Sequence, residues 1–216
     1  MKVLVIGANG LTGQRVVKLL ARSPHDPVAM IRHPGQRAGF DELGVATVLA
    51  DLEYPIDHAV RGCDGIIFAA GSGSKTGKDK TVLIDHLGSI RAAVAALVNG
   101  AKRFVMLSAL NATVNSESAI KHYHRARAHA DGFLRTMPEV FDGQGLDWTI
   151  VCPGRLTNDR GTGRVAISDE IHGGGKTSRD NLAKTLVACL DQPNTVGRAF
   201  GLLDGNTALS DALNEL

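Results

Sequence analysis

A glycine-rich turn near the start of the chain limits its fold more than any other feature. The apolar run Lys2–Ile6 leads into Gly7-Ala8-Asn9-Gly10-Leu11-Thr12-Gly13, and a helical pattern with apolar positions 16, 17, 19 and 20 follows. A strand, a turn with three spaced glycines and a helix, in this order, open a sheet made of βαβ units. In such a unit Gly7 permits the tight turn after the strand, Gly10 lets a ligand approach the backbone without meeting a Cβ, and Gly13 lets the helix pack closely against the sheet.

Short apolar runs alternate with helical patterns along most of the chain. This alternation predicts a Rossmann-type, doubly wound α/β fold, with a mostly parallel sheet of about six to seven strands and helices on both faces. The predicted strands cover residues 2–6, 27–31, 46–50, 64–70, 102–107, 147–152 and 199–203, and the predicted helices cover 11–22, 54–62, 81–98, 118–136, 178–190 and 208–216. We expect a single domain over residues 1–216, in which residues 153–216 form a small lobe on the substrate side. Residues 71–80 are predicted to be a polar loop, and residues 156–175 to cover the substrate.

Composition excludes several classes of protein. The 216 residues carry 24 Lys and Arg against 22 Asp and Glu, without a dense basic block, so we expect neither a nucleic-acid nor a membrane partner. Three widely spaced cysteines are typical of free thiols in a reducing compartment, which favours a cytoplasmic location. His122, His124 and His129 share one predicted helix but lack an acidic partner at ligand spacing, so no metal site is expected. We expect the protein to be a monomer or a weak homodimer. Its expected partner is a small-molecule substrate.

The glycine turn predicts a site for dinucleotide phosphates, because the N-terminus of the following helix offers free N–H groups and a positive dipole end. An acidic residue at the end of the second strand would bind the ribose 2′-hydroxyl of NAD. Here that strand ends in Arg32, which can pair with a 2′-phosphate, so NADP(H) is favoured over NAD(H). The alternative for Arg32 is an ordinary solvated charge. Asp51 and Leu52, after the third strand, are expected near the adenine, although Asp51 is equally compatible with a loop or cap.

Several segments together resemble the atypical short-chain dehydrogenases/reductases. They are the glycine turn, Arg32, Asp51-Leu52, the strand end at residues 68–71, and the segments at residues 104–108 and 146–156. Within that group the chain is most similar to epimerase/dehydratase-like NAD(P)-binding proteins, biliverdin reductase B/flavin reductase and nitrogen-metabolite-repression regulators. The resemblance implies a Rossmann fold over essentially the whole chain. It also implies a set of cofactor-binding residues, namely Gly7, Asn9, Gly10, Leu11, Thr12, Gly13, Arg32, Asp51, Leu52, Ala69, Ala70, Gly71, Ser108, Pro153, Gly154, Arg155 and Leu156.

The same resemblance implies a catalytic Ser, a Tyr and a Lys four residues after the Tyr. Ser108 stands at the end of the fifth strand, and Tyr123 lies in the following helix, but Arg127 replaces the Lys. As a nearby cation, Arg127 can stabilise the deprotonated form of Tyr123. A planar guanidinium is nevertheless not a conservative replacement for a lysine. The alternative is that Tyr123 and Arg127 are structural helix residues.

Two functions therefore remain open. One is an NADPH-dependent reductase that passes a hydride to a flavin, quinone or small carbonyl compound, and the other is a non-catalytic sensor of the NADP/NADPH ratio. A nucleotide-sugar epimerase ranks third, because the chain after residue 152 is short for a nucleotide-sugar lobe. Because this group mixes enzymes with regulators, the fold alone does not choose between them.

Overall fold

The computed structural model describes residues 1–73, 76–169 and 174–216, and these residues contain a nine-stranded sheet flanked by helices. The strands run β1 Lys2–Ile6, β2 Asp26–Ile31, β3 Ala46–Leu49, β4 Gly65–Phe68, β5 Arg103–Leu107, β6 Asp147–Pro153, β7 Arg155–Thr157, β8 Arg164–Ser168, β9 Lys176–Ser178, β10 Arg198–Asp204 and β11 Thr207–Ala208. The order across the sheet is β11-β8-β10-β6-β5-β4-β1-β2-β3, and β7 pairs with β9 in a separate ribbon. Strands β1 to β6 and β10 are parallel, whereas β8 pairs antiparallel with both β10 and β11.

The helices run α1 Leu11–Leu20, α2 Ala38–Asp41, α3 Asp57–Val60, α4 Lys78–Lys80, α5 Leu87–Val98, α6 Lys121–Val140, α7 Arg179–Ala188 and α8 Leu209–Asn214. A π-helical segment, Thr81–His86, joins α4 to α5, so that one continuous helix spans Lys78–Val98. Short 3-10 turns cover Pro34–Gln36 and Pro193–Thr195.

Alternating side chains of the central strands build two cores, one on each face of the sheet. Leu4, Ile66 and Phe104 belong to the core beneath α3, α5 and α6. Val5 and Val105 point to the opposite core, which is covered by α1, α2, α7 and α8. This arrangement confirms the predicted Rossmann-type, doubly wound class, since parallel strands buried on both faces require an apolar side chain at every position.

The strand order reverses between β4 and β1, because the chain builds outward through β2 and β3 on one side and through β5 and β6 on the other. A crevice forms at the carboxyl ends of the strands where such a reversal occurs, and ligands of open α/β sheets bind there. The turn after β1 and the end of β4 flank this crevice.

The sheet is larger than the six to seven strands predicted. Strands β8 and β11 were not expected, and with β10 they extend the main sheet, so much of the chain after β6 is continuous with it. Short strands separated by glycine-containing loops leave a weak sequence pattern, which explains why they were missed. Two predicted segments reach outside the described residues: the loop 71–80 at positions 74 and 75, and the cover 156–175 at positions 170–173.

Lys78–Val98 is the one helix of the described chain that is long and apolar enough to cross a bilayer. Half of its most apolar window is buried, with Ala92, Ala93 and Ala96 in the core above β4 and β5. The apolar composition of this helix is therefore explained by packing against the sheet.

Candidate functional site

The glycine turn folds tightly between the ends of β1 and β4. Gly7 adopts a φ of +84°, and a Cβ at this position would lie 2.6 Å from the Cα of Ala70. At Gly13 a Cβ would lie 2.1 Å from the carbonyl oxygen of Gly7, so the first turn of α1 sits directly on the loop. Gly10 donates its N–H to that same carbonyl at 2.9 Å, which closes the turn. Gly7 and Gly13 are therefore required by close contacts of the backbone.

A cleft of about 720 Å³ opens beside this turn, at the carboxyl ends of the strands. Thirteen of the residues predicted from the sequence line it: Gly7, Asn9, Gly10, Leu11, Thr12, Arg32, Leu52, Ala69, Ala70, Gly71, Tyr123, Arg127 and Leu156. The cleft is thus continuous from the glycine turn to the start of α6. Its volume lies within the range of roughly 300–1,000 Å³ that is usual for cofactor and ligand sites.

The loop after β2 presents Arg32 to this cleft. The side-chain oxygen of Gln36 accepts the backbone N–H groups of Arg32 at 2.8 Å and of His33 at 3.2 Å, which fixes the loop. In the described chain no carboxylate lies within ion-pair distance of the Arg32 guanidinium, and the side chain is exposed. Arg32 is therefore a cation that is free to meet an anionic group in the cleft.

Asp51 and Leu52 take different positions after β3. Leu52 is buried and lines the cleft, whereas Asp51 does not line it. The Asp51 carboxylate accepts the backbone N–H of Glu53 at 3.0 Å and so stabilises its own turn. Beside them, Lys80 and Glu53 form an ion pair of 2.5 Å that links the start of the Lys78–Val98 helix to the end of β3.

Arg127 is only 2% exposed and connects three elements. Its guanidinium donates to the carbonyl oxygens of Leu107 at 2.9 Å and of Ala70 at 2.7 Å, and it lies 2.8 Å from Oδ1 of the buried Asp85. Burial alone would lower the pKa of Arg127, but the neighbouring Tyr123 and Asp85 outweigh burial and raise it. Arg127 therefore stays charged and clamps the ends of β4 and β5 to the π-helical segment.

Tyr123 lines the cleft one helical turn before Arg127, whose guanidinium carbon lies 5.4 Å from the centre of the Tyr123 ring. His122 and Ile120 line the cleft next to it. Tyr123 is thus the hydroxyl-bearing side chain of the predicted catalytic set that faces the cleft.

Ser108 does not line the cleft. It is 1% exposed, and its hydroxyl donates to the Asp131 carboxylate at 2.6 Å. Burial raises the pKa of Asp131 to about 6, and burial together with Asp131 raises the pKa of Cys152 to about 12. The position of Ser108 does not support its predicted role of polarising a substrate oxygen.

The segment after β6 reaches the cleft mainly through Leu156. Pro153 is buried as the last residue of β6, and Arg155 is exposed at the start of β7. At Gly154 a Cβ would lie 2.5 Å from the carbonyl oxygen of Gly175, so glycine is needed where β7 and β9 approach. Pro153, Gly154 and Arg155 therefore support the ribbon that carries Leu156 and do not line the cleft themselves.

Sequence reasoning missed several cleft residues. Asp85 lies within a long apolar helix, and its pairing with Arg127 joins positions 42 residues apart, which no local pattern reveals. Arg179 follows the N-cap Ser178 of α7 and lines the cleft. No strand was predicted before this helix, so the sequence held no signal that Arg179 reaches the carboxyl ends of the strands. No group of three His, Cys, Asp or Glu residues in the described chain is placed to hold a metal ion.

The shape of the cleft fits a dinucleotide. The turn supplies a glycine cradle in which a Cβ at Gly7 or Gly13 would collide with backbone. The first turn of α1 supplies backbone N–H groups that no residue within the helix can satisfy. The cradle therefore suits a pyrophosphate, and Arg32 and Leu52 suit the ribose and the adenine.

Comparisons with known proteins agree with this geometry. Residues 7–193 match the model of a family described as NAD(P)H-binding. The chain is 44% identical over 222 residues to the uncharacterized sugar epimerase YhfK of Bacillus subtilis, covering 100% of both proteins.

Two solved structures are similar over the whole chain. A protein from Bacillus halodurans named as an NAD-dependent epimerase/dehydratase has a TM-score of 0.92 and 36% identity, with 100% of both chains covered. The oxidoreductase ylbE from Lactococcus lactis has a TM-score of 0.87 and 26% identity, covering 100% of this chain and 96% of that one.

Proposed function

The chain belongs to the NAD(P)H-binding family, and we propose that within it the protein is an NADP(H)-dependent oxidoreductase that reduces a flavin, a quinone or a small carbonyl compound. The observation that carries this proposal is the cleft at the strand reversal, which extends from the glycine turn past Arg32 on one side and to Tyr123 on the other. The oxidoreductase name of the similar Lactococcus lactis protein supports it.

The preference for NADP(H) rests on Arg32. Its guanidinium is exposed at the cleft, without a carboxylate partner in the described residues, where an NAD-binding protein of this fold carries an acid. A guanidinium pairs with a phosphate through two parallel hydrogen bonds, whereas it gains little from a neutral ribose hydroxyl. The Bacillus halodurans protein is named as NAD-dependent, but that name describes that protein. Measured affinities of this chain for the two cofactors would decide its preference between NADP(H) and NAD(H).

The bound dinucleotide would supply the hydride, and the residues of this chain would bind it, orient it and shape the space for the acceptor. Tyr123 and His122 offer polar groups at the far end of the cleft, and Ile120 and Leu156 offer apolar contacts. Such a mixture suits a planar, largely apolar acceptor with a few polar atoms. Tyr123 is the candidate to donate a proton to the reduced acceptor.

The test is consumption of NADPH by the purified protein against a panel of flavins, quinones and aldehydes. We expect turnover with at least one of these acceptors, and a Tyr123→Phe variant should show a lower kcat wherever the acceptor needs a proton. Tight binding of NADPH without turnover of any acceptor would contradict the proposal.

A non-catalytic sensor of the NADP/NADPH ratio is the second candidate, and Arg127 favours it. The resemblance to the short-chain dehydrogenases/reductases implies a lysine at this position that holds the ribose, whereas the Arg127 guanidinium contacts Ala70, Leu107 and Asp85. A sensor must bind the two redox forms unequally, because equal affinities shift no equilibrium. Unequal affinities for NADP⁺ and NADPH without turnover, together with a partner protein recovered with only one form, would favour this candidate.

The epimerase name of YhfK raises a third candidate. After β6, strands β8, β10 and β11 join the main sheet, and among the described residues of this part of the chain Leu156 and Arg179 line the cleft. That is little chain to enclose a nucleotide sugar, so this candidate ranks behind the other two.

A further inference from the structure

Arg179 brings a positive charge to the cleft from an element that the glycine motif does not include. It is the first residue of α7, and it lines the cleft together with Gly10, Leu11 and Thr12 of the glycine turn. Helices α1 and α7 pack side by side, and an ion pair of 2.7 Å between Arg15 of α1 and Asp180 of α7 joins them near their N-termini. The N-terminus of α7 is thereby held next to the N-terminus of α1.

The charge of Arg179 is not neutralised within the described residues. Its Nη1 donates to the side-chain amide oxygen of Asn158 at 2.9 Å, and no carboxylate lies within ion-pair distance of it there. The adjacent Asp180 is occupied, because it accepts from Arg15 and from the backbone N–H of Gly161. Partial burial and the nearby Arg15 both lower the pKa of Arg179.

The glycine turn itself lacks a cation. The segment from Gly7 to Gly13 contains no Lys or Arg, so it offers a phosphate backbone N–H groups, the Asn9 amide, the Thr12 hydroxyl and a helix dipole, but no full positive charge. A dinucleotide pyrophosphate carries two negative charges, and a guanidinium is the side chain that binds phosphate oxygens in a fixed, bidentate manner. Arg179 lines the same cleft as the turn and is placed to add a positive charge there.

We propose that Arg179 binds the pyrophosphate of the dinucleotide and fastens it against the N-terminus of α1. This inference rests on the proposed function, since it requires a dinucleotide in the cleft. Asn158, which follows β7, would hold the guanidinium in place without neutralising it. The β7–β9 ribbon would thereby take part in holding the cofactor as well as covering the substrate.

The experiment is calorimetric titration of Arg179→Gln and of the unaltered protein with three probes. NADP⁺ carries the pyrophosphate and the 2′-phosphate, ADP-ribose carries only the pyrophosphate, and adenosine 2′-phosphate carries only the 2′-phosphate. Loss of charged hydrogen bonds should weaken NADP⁺ and ADP-ribose by roughly 10- to 100-fold and leave adenosine 2′-phosphate unchanged. Arg179→Lys, which keeps the charge without the fork, should recover part of the loss.

The matched control is Arg198→Gln at the start of β10, at the amino ends of the parallel strands and away from the cleft, where Arg198 pairs with Asp169. It should change none of the three affinities, and unchanged unfolding temperatures of both unliganded glutamine variants would show that each is folded. Equal NADP⁺ and ADP-ribose affinities in Arg179→Gln and the unaltered protein would overturn the inference. So would an equal loss for adenosine 2′-phosphate, or an intact NADP⁺ affinity with a raised KM for an acidic acceptor. If the unaltered protein binds none of the probes, the proposed function fails first.

Discussion

Arg127 shows how one residue changes meaning between sequence and structure. The family resemblance implied a catalytic pair of Tyr123 and Arg127, with a structural role as the alternative. The guanidinium is almost fully buried and bound to two backbone carbonyls and Asp85. Local spacing shows that the two residues share a helix face, but it does not show what lies opposite that face. The partners come from β4, β5 and the π-helical segment, which only the fold brings together.

We expect Arg127→Met to lower the free energy of unfolding by roughly 3–5 kcal/mol, because Asp85 would remain buried without its cation. The double variant Arg127→Met/Asp85→Asn should lose less than the sum of the two single losses. Chemical denaturation of the four proteins measures this. A loss below about 1 kcal/mol in Arg127→Met, combined with abolished turnover, would instead indicate a catalytic role.

Asp131 gives a pH-dependent prediction. Burial raises the pKa of Asp131 to about 6 in the folded protein, although Ser108, Arg127 and Arg135 act in the opposite direction and lower it. The folded protein therefore binds this proton more tightly than the unfolded chain does. The resulting contribution to the free energy of unfolding is present at low pH and is lost as the pH rises through about 6. Asp131→Asn should be more stable than the unaltered protein at pH 8, by up to about 3 kcal/mol, and this gain should shrink below pH 6.

Unfolding of both proteins across this pH range measures the difference. Glu139→Gln, an exposed carboxylate on the same helix, is the control and should show no such dependence. A gain for Asp131→Asn that is constant with pH would show that Asp131 does not titrate there.

At the scale of elements, the contact between α1 and its turn is the feature to test. A Cβ at Gly13 would lie 2.1 Å from the Gly7 carbonyl oxygen, so Gly13→Ala must push α1 away from the loop. We expect this variant to lose roughly 1–3 kcal/mol of stability and at least about tenfold in dinucleotide affinity.

Gly39→Ala in α2 is the matched control, because a Cβ there meets nothing within 4 Å. Helix propensity makes that change neutral or slightly stabilising. If Gly13→Ala has the same stability and the same dinucleotide affinity as the unaltered protein, the contact between α1 and the loop does not require glycine at this position.

For the whole molecule, the sequence sufficed to predict the fold class and the tight glycine turn, since both depend on local periodicity and on glycines at fixed spacing. It did not reveal β8 and β11, whose register depends on antiparallel pairing with β10 and with each other. Nor did it reveal Asp85 and Arg179, which reach the cleft from distant helices. The missed features all depend on tertiary contacts between residues far apart in the chain.

Binding of the two reduced dinucleotides tests the central claim most directly. We would titrate the unaltered protein and Arg32→Ala with NADPH and with NADH in a calorimeter. The account predicts one site per chain, tighter binding of NADPH, and a loss of roughly tenfold or more in NADPH affinity alone when Arg32 is removed. Absence of binding by both, or tighter binding of NADH that Arg32→Ala leaves unchanged, would contradict it.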